Sequence, residues 1–365
     1  MTRNLSLVTI AALVALVAGV ALWVGPARGD DAPAAATIVP PDFNKGAAWE
    51  VTPASLKAIE KGLAWLASKQ NADGSIGGSG MGNRSAAITA LAGLAFLADG
   101  SVPGRGRYSA QVEKCMEATL ASTSESNGLI TIDGDGTPMY GHGFATLFLA
   151  EIYGMTGNEQ VREKLRQAVR LIVNTQNKQG GWRYQPVPND ADLSVTICQT
   201  MALRAARNAG IHVPKQTIDK AIEYVRKSQC PDGGFAYMIG MGGGAMGSGF
   251  PRSAAGVASL FYSGVYTGKE IENGMKYLMQ PANRPTGGMA AGFGHFFYGH
   301  YYAVQAFFIA GGKYWQDWFP NIRDFLVAQQ QPAGSWTEGV GPEYATAMAL
   351  IILQVPNRYL PILER

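Results

Sequence analysis

From residue 51 onward, two kinds of helical segment alternate along the chain. One kind places apolar residues at i, i+3 and i+4 with charges between them, as at Leu56, Ile59, Leu63 and Leu66 or at Ile218, Ile222 and Val225. That spacing predicts a helix with one face on a core and the other in water. The other kind is apolar and small nearly throughout, at 86–97, 144–153, 195–206, 254–262, 302–310 and 345–353. A helix that is apolar all round has to be buried all round. Six segments of each kind in alternation predict an inner ring of helices wrapped by an outer one.

A glutamine and a Gly-rich turn recur between the two kinds: Gln70-Asn-Ala-Asp-Gly, Gln176-Asn-Lys-Gln-Gly-Gly-Trp182, Gln229-Cys-Pro-Asp-Gly-Gly-Phe235, Gln280 ahead of Gly287-Gly288, and Gln329 ahead of Gly334-Ser335-Trp336. Successive glutamines stand 106, 53, 51 and 49 residues apart. The first spacing is double the others, and the Ser-Thr-Ser-Glu-Ser-Asn-Gly stretch at 122–128 supplies the missing copy. A fixed period near fifty residues signals units that bury their apolar faces only against their neighbours. An open array would need polar end caps, and none is evident, so the expected architecture is an all-α (α/α)6 toroid closed on itself.

The two ends of the chain and its charge narrow the setting. Arg3, an apolar run from Leu5 to Val24 and small residues up to Gly29 read as a signal peptide over 1–29 or as an N-terminal membrane anchor. Either places the body outside the cytoplasm, periplasmic or secreted. The Ala/Pro-rich stretch 30–50 is expected to be a linker, which leaves 51–365 for the toroid. A formal charge of +3, with no Lys/Arg block interleaved with aromatics, argues against a nucleic-acid partner. Three widely spaced cysteines, Cys115, Cys198 and Cys230, fit neither a disulfide framework nor a metal site, and no cofactor is expected. The Gly/Met-rich stretch 238–249 is either a lid over the mouth or an inserted segment.

The glutamine followed by Gly-Gly-Trp or Gly-Gly-Phe, at 176–182 and 229–235 and more loosely at 329–336, resembles the QW-type repeat of squalene and other triterpene cyclases and of protein prenyltransferase β subunits. The resemblance spans 51–360 and implies a toroid with a central ligand cavity. Aligned on their first small residue, the inner helices carry Arg84, His142, Asp192, Arg252, His300 and Pro342 three places earlier, with Glu343 next to the last. Arg-Ser-Ala-Ala at 84–87 and 252–255 and Tyr-Gly-His at 140–142 and 298–300 suggest a duplicated three-hairpin ancestor. Units three apart face each other in a ring of six. The two Arg, two His and two acids are thus expected to oppose one another across one polar mouth, with Tyr140, Tyr298, Tyr301 and Tyr344 nearby and an apolar well beneath. The same residues also suit helix caps and loop bridges, and convergence of their side chains separates the two readings.

The resemblance implies particular chemistry. Asp190-Ala191-Asp192-Leu193-Ser194 looks like the D-x-D-D-T segment of squalene-hopene-type cyclases, with Asp192 at the proton-donor position and Leu193 where the last Asp stands. His142 would orient Asp192, and His300 completes the candidate catalytic set. The first expectation is therefore a toroid that holds a ligand, an isoprenoid among the candidates, and uses acid to isomerise or cyclise it. His300 also resembles the late zinc-ligating His of protein prenyltransferases, but Arg252-Ser253-Ala254 has no ligand where that site needs an Asp and a Cys, so no metal is expected. Two alternatives stand beside this. A lyase acting on uronate polysaccharides would use Tyr140, His142, Tyr298 or His300 as base and Arg84 and Arg252 to neutralise the carboxylate. A non-catalytic toroid would hold a ligand or partner with Arg84, Tyr140, Asp190, Arg252, Tyr298, Tyr301 and Glu343 around its mouth.

Overall fold

A computed structural model describes residues 47–77, 84–132, 135–241, 247–283 and 295–363. The N-terminal apolar run, most of the expected linker, 242–246 of the Gly/Met-rich stretch and the Gly287-Gly288 turn lie outside the described residues. Among the described residues no helix is long and apolar enough to cross a membrane.

The amphipathic segments form α2 (Pro53–Ser68), α4 (Ser109–Ala121), α6 (Glu159–Asn174), α8 (Lys215–Lys227), α10 (Lys269–Leu278) and α12 (Gly312–Gln329). The apolar segments form α3 (Ala86–Ala98), α5 (Pro138–Thr156), α7 (Leu193–Asn208), α9 (Phe250–Tyr262), α11 (Phe296–Ala310) and α13 (Pro342–Gln354). Local chemistry sets several of the starts. Thr52 and Ser55 cap α2 reciprocally ahead of Pro53, and Asn158 accepts the amides of Gln160 and Val161 at the start of α6. A short helix, α1 (Ala47–Glu50), precedes them, and its buried Glu50 accepts the Trp315 indole N–H. The body thus begins within the stretch read as linker, because Glu50 has a partner on α12.

Each inner helix packs on the next in the order α3, α5, α7, α9, α11 and α13, and α13 returns to α3. In the outer layer α12 lies against α2, so the last unit meets the first there as well. After α13 the chain makes two 3-10 turns, Val355–Asn357 and Pro361–Leu363, which pack on α11 and α7 and cover the C-terminal ends of the inner helices.

The recurring glutamine is a staple between neighbouring units. Gln70 Nε2 donates to Gly74 O at 3.1 Å and to Gln111 O at 3.0 Å, Gln176 to Gly180 O at 2.8 Å and Thr217 O at 2.9 Å, and Gln229 to Gly233 O at 3.0 Å and Glu270 O at 2.9 Å. One bond holds its own turn and the other reaches the first turns of the next outer helix. In the last unit Gln330, not Gln329, plays the part, donating to Gly334 O at 2.9 Å and to Ala58 O at 2.8 Å. That bond joins the last unit to the first. The turn glycine is required twice over at Gly180: φ is 101°, and a Cβ there would lie 2.1 Å from Lys220 O.

The second residue after each turn glycine is also anchored. Trp182, Phe235 and Trp336 are buried, and their backbone N–H groups donate to the hydroxyls of Thr196, Ser253 and Thr346 at the start of the following inner helix. Ile76 donates likewise to Thr89. The indoles of Trp182 and Trp336 reach back to Ile172 O and Leu326 O. This is structural work, leaving these aromatics no ligand-binding surface.

Candidate functional site

The N-terminal ends of the inner helices gather a polar cluster around Asp192. This residue, 0% exposed, is the N-cap of α7: Oδ1 accepts the Val195 amide at 2.9 Å and the Ser194 hydroxyl at 2.6 Å. Oδ2 accepts the Tyr237 hydroxyl at 3.2 Å and lies 3.6 Å from Arg183 Nε. Burial raises the Asp192 pKa, opposed by Ser194, the Val195 amide, Tyr237 and Arg183.

Neighbouring units deliver the surrounding groups. Leu193 N donates to Tyr237 O at 2.9 Å and Met139 N to Tyr184 O at 3.1 Å, so each loop rests on the start of an adjacent inner helix. Tyr184 and Tyr237 hydrogen-bond through their hydroxyls, and Tyr140 bonds the Ser194 hydroxyl. The Tyr140 and Tyr184 rings stand 6.0 Å apart, and the Arg183 guanidinium lies 5.1 Å from the Tyr184 ring centre. Asp190 forms a close ion pair with Arg183. Tyr298, reaching from α11, donates to Ser194 O at 2.9 Å. Of the expected site residues, Tyr140, Asp190, Asp192 and Tyr298 therefore meet.

Arg84, His142 and His300 do not join them. Arg84 is exposed and salt-bridged to Asp73 at 2.7 Å. Arg252 lies near Tyr277 of α10, Cys230 and Tyr237, and burial lowers its pKa. Glu343 is buried in the first turn of α13. His142 is wholly buried: Nδ1 accepts the Ile130 amide at 3.1 Å, which leaves Nε2 to donate to Ala168 O at 3.1 Å. It stands where Thr89, Thr196, Ser253 and Thr346 stand in other units, and serves the same anchoring bond. His300 packs between Phe296, Phe250 and Trp318, with Nδ1 bonded to Phe296 O at 2.9 Å. Burial holds both histidines down at about 4.

The expected column thus mixes levels, with His142 at the anchor position, Asp192 four residues before it and Arg84 five. The anchor positions themselves read Thr89, His142, Thr196 and then Ser253, His300, Thr346, counting His300 by its place four residues into α11 as His142 is four into α5. That order keeps the three-unit duplication while removing the opposed Arg pair. Beneath the mouth, the axis is occupied by Tyr301, which meets Phe144 of the opposite unit at 5.9 Å, and by Tyr302, whose hydroxyl lies 3.2 Å from Cys198 Sγ. Where an apolar well was expected, aromatic side chains fill the axis at this level.

Arg183, Tyr184, Ser194 and Tyr237 were not singled out from the sequence. A signal existed: Gly-Gly-Trp182-Arg-Tyr184 and Gly-Gly-Phe235-Ala-Tyr237 both place a tyrosine two residues after the buried aromatic. Among the described residues no three His, Cys, Asp or Glu side chains gather as a metal site requires.

Solved structures share the architecture at low identity. An α-1,6-mannanase of glycoside hydrolase family 76 from Salegentibacter sp., in complex with α-1,6-mannotriose, is similar with a TM-score of 0.61 and 10% identity over 86% of this chain and 100% of that one. A cellobiose 2-epimerase from Spirochaeta thermophila gives 0.59 and 14% over 83% and 97%. A family 76 α-mannanase from Bacteroides thetaiotaomicron gives 0.56 and 11% over 84% and 96%. No curated protein sequence matches the chain. Residues 63–292, more than half of the sequence, match the prenyltransferase alpha-alpha toroid domain, and the chain belongs to that family.

Proposed function

We propose that the mouth of this toroid binds a saccharide. The supporting observation is the convergence of two hydroxyl chains, from Tyr140 through Ser194 and from Tyr184 through Tyr237, on the buried Asp192 beside the partly exposed rings of Tyr140 and Tyr184. Aromatic faces with a few convergent polar atoms suit the alternating apolar and hydroxylated surfaces of a sugar. Similarity of fold to mannanases and cellobiose epimerases is in keeping with this, as is the extracytoplasmic location expected from the N-terminal run. A polyprenoid has less to meet here, since both Asp192 oxygens already accept hydrogen bonds from Ser194, the Val195 amide and Tyr237, and Tyr301 and Phe144 fill the axis.

Calorimetry of the full chain with α-1,6-mannotriose, mannotetraose and cellotetraose tests the proposal. Binding of at least one, weakened about tenfold or more by Tyr184→Ala through loss of its ring and hydroxyl, is expected. No binding to any of the three refutes it.

A second reading, in which the mouth also turns a saccharide over, rests on Glu338. Its Oε1 accepts the Phe297 amide at 3.3 Å, its buried Oε2 has no hydrogen-bond partner, and burial raises its pKa, as a general acid requires. Release of reducing ends from mannotetraose, abolished by Glu338→Gln with binding retained, is the result that reading demands.

A further inference from the structure

The saccharide reading can be sharpened to a substrate class from the direction of the mouth's protons and the state of its arginine. An ionised carboxylate offers only lone pairs, so Ser194 and Tyr237 donate to Asp192. Tyr140 must then donate to Ser194, and Tyr184 to Tyr237. All four hydroxyl protons point inward. The outer members, Tyr140 and Tyr184, face a ligand with oxygen lone pairs, which accept from sugar hydroxyls and repel a carboxylate.

The nearby cation does not reverse this. Arg183 is paired with Asp190, leans on Asp192 at 3.6 Å and stacks over Tyr184. Two acids therefore hold one guanidinium. Arg84 is bridged to Asp73.

Resting on that reading, we propose that the mouth takes neutral, hydroxyl-bearing saccharides and rejects uronates, and that Asp190 sets this choice by neutralising Arg183. With Asp190 removed, the Nη edge of Arg183 is released while Nε stays by Asp192. A guanidinium fork in that state is suited to a sugar carboxylate.

Asp190 is a practical position to change. The side chains of Arg183 and Asp190 keep 31% and 49% of their exposure, and a pair this open contributes about 0–1 kcal/mol, so Asp190→Asn and Asp190→Ala should fold. Thermal melts of both check this. Wild type and both variants of the full chain are titrated by calorimetry, at low salt and neutral pH, with mannotetraose, cellotetraose and tetragalacturonate. For wild type, binding to a neutral tetraose at least about tenfold tighter than to tetragalacturonate is expected. In both variants, affinity for tetragalacturonate should rise about tenfold or more, in a salt-sensitive way. Wild type that binds tetragalacturonate as well as it binds the neutral sugars overturns the inference and leaves the saccharide reading standing. So does a variant that gains no affinity for it. Wild type that binds none of the three sugars removes the saccharide reading itself, and the inference with it.

Discussion

Gly180 and Gly210 both hold a left-handed backbone, with φ of 101° and 86°, but their surroundings differ. An added Cβ at Gly180 would sit 2.1 Å from Lys220 O, whereas at Gly210 nothing lies within 4 Å. The pair separates backbone strain from collision. Gly210→Ala carries only the left-handed penalty, about 1–2 kcal/mol. Gly180→Ala adds a clash with backbone that is itself tied by the Gln176 staple, and should cost more than about 3 kcal/mol. Urea unfolding of the two variants measures the difference. Equal losses would mean that the turn moves aside freely and that the staple does not fix the distance between outer helices.

At the level of elements, the repeat was legible because it is written twice, in the alternation of amphipathic with apolar segments and in the period of the Gln-Gly turn. Ring closure followed from the lack of end caps, and Gln330 reaching Ala58 is its physical form. What could not be read was the rotational setting of the inner helices. A segment such as 86–98, apolar on every side, has no hydropathy phase, so alignment on a small residue slides by several positions without penalty. That slip set the anchor residue His142 in one column with the cap Asp192 and the exposed Arg84. Gln329 and Gln330 are adjacent, and which of them carries the staple depends only on where α12 ends. The anchor role of His142 makes a further prediction. His142→Ala strands the Ile130 amide and leaves a cavity, for a loss of about 2–4 kcal/mol. His142→Thr restores the residue type found at the same position in three other units, and should recover part of that loss by accepting the Ile130 amide. Thermal denaturation of both variants decides it, and a Thr variant no better than Ala would show that the ring's volume, not its hydrogen bond, matters there.

Across the whole molecule, the two ends of the inner ring differ in character. The mouth is polar and partly open, whereas the opposite end is closed by the C-terminal turns around Glu151, which is buried and accepts a hydrogen bond from Ile362. Tyr262 and Tyr301 are titratable groups near it. Burial pushes Glu151 up to about 8, so the folded state holds a proton there that the unfolded chain, near 4.5, gives up sooner. Its contribution is full at low pH and is lost as pH rises through about 8. His142 and His300 act in the opposite sense. Buried neutral at about 4 against an ordinary 6.5, they favour the fold above 6.5 and withdraw that support as pH falls toward 4. Two histidines outweigh Glu151 below 6.5, and above it Glu151 continues to lower stability as it loses its proton. Stability should therefore peak near neutrality and fall by about 2 kcal/mol between pH 6.5 and 8.5, measured by urea unfolding at each pH. Glu151→Gln, which keeps the shape and removes the titration, should flatten the alkaline limb and leave the acid limb in place. An alkaline fall that persists in that variant would assign it to other groups and leave the closed end of the ring without its pH-sensitive acid.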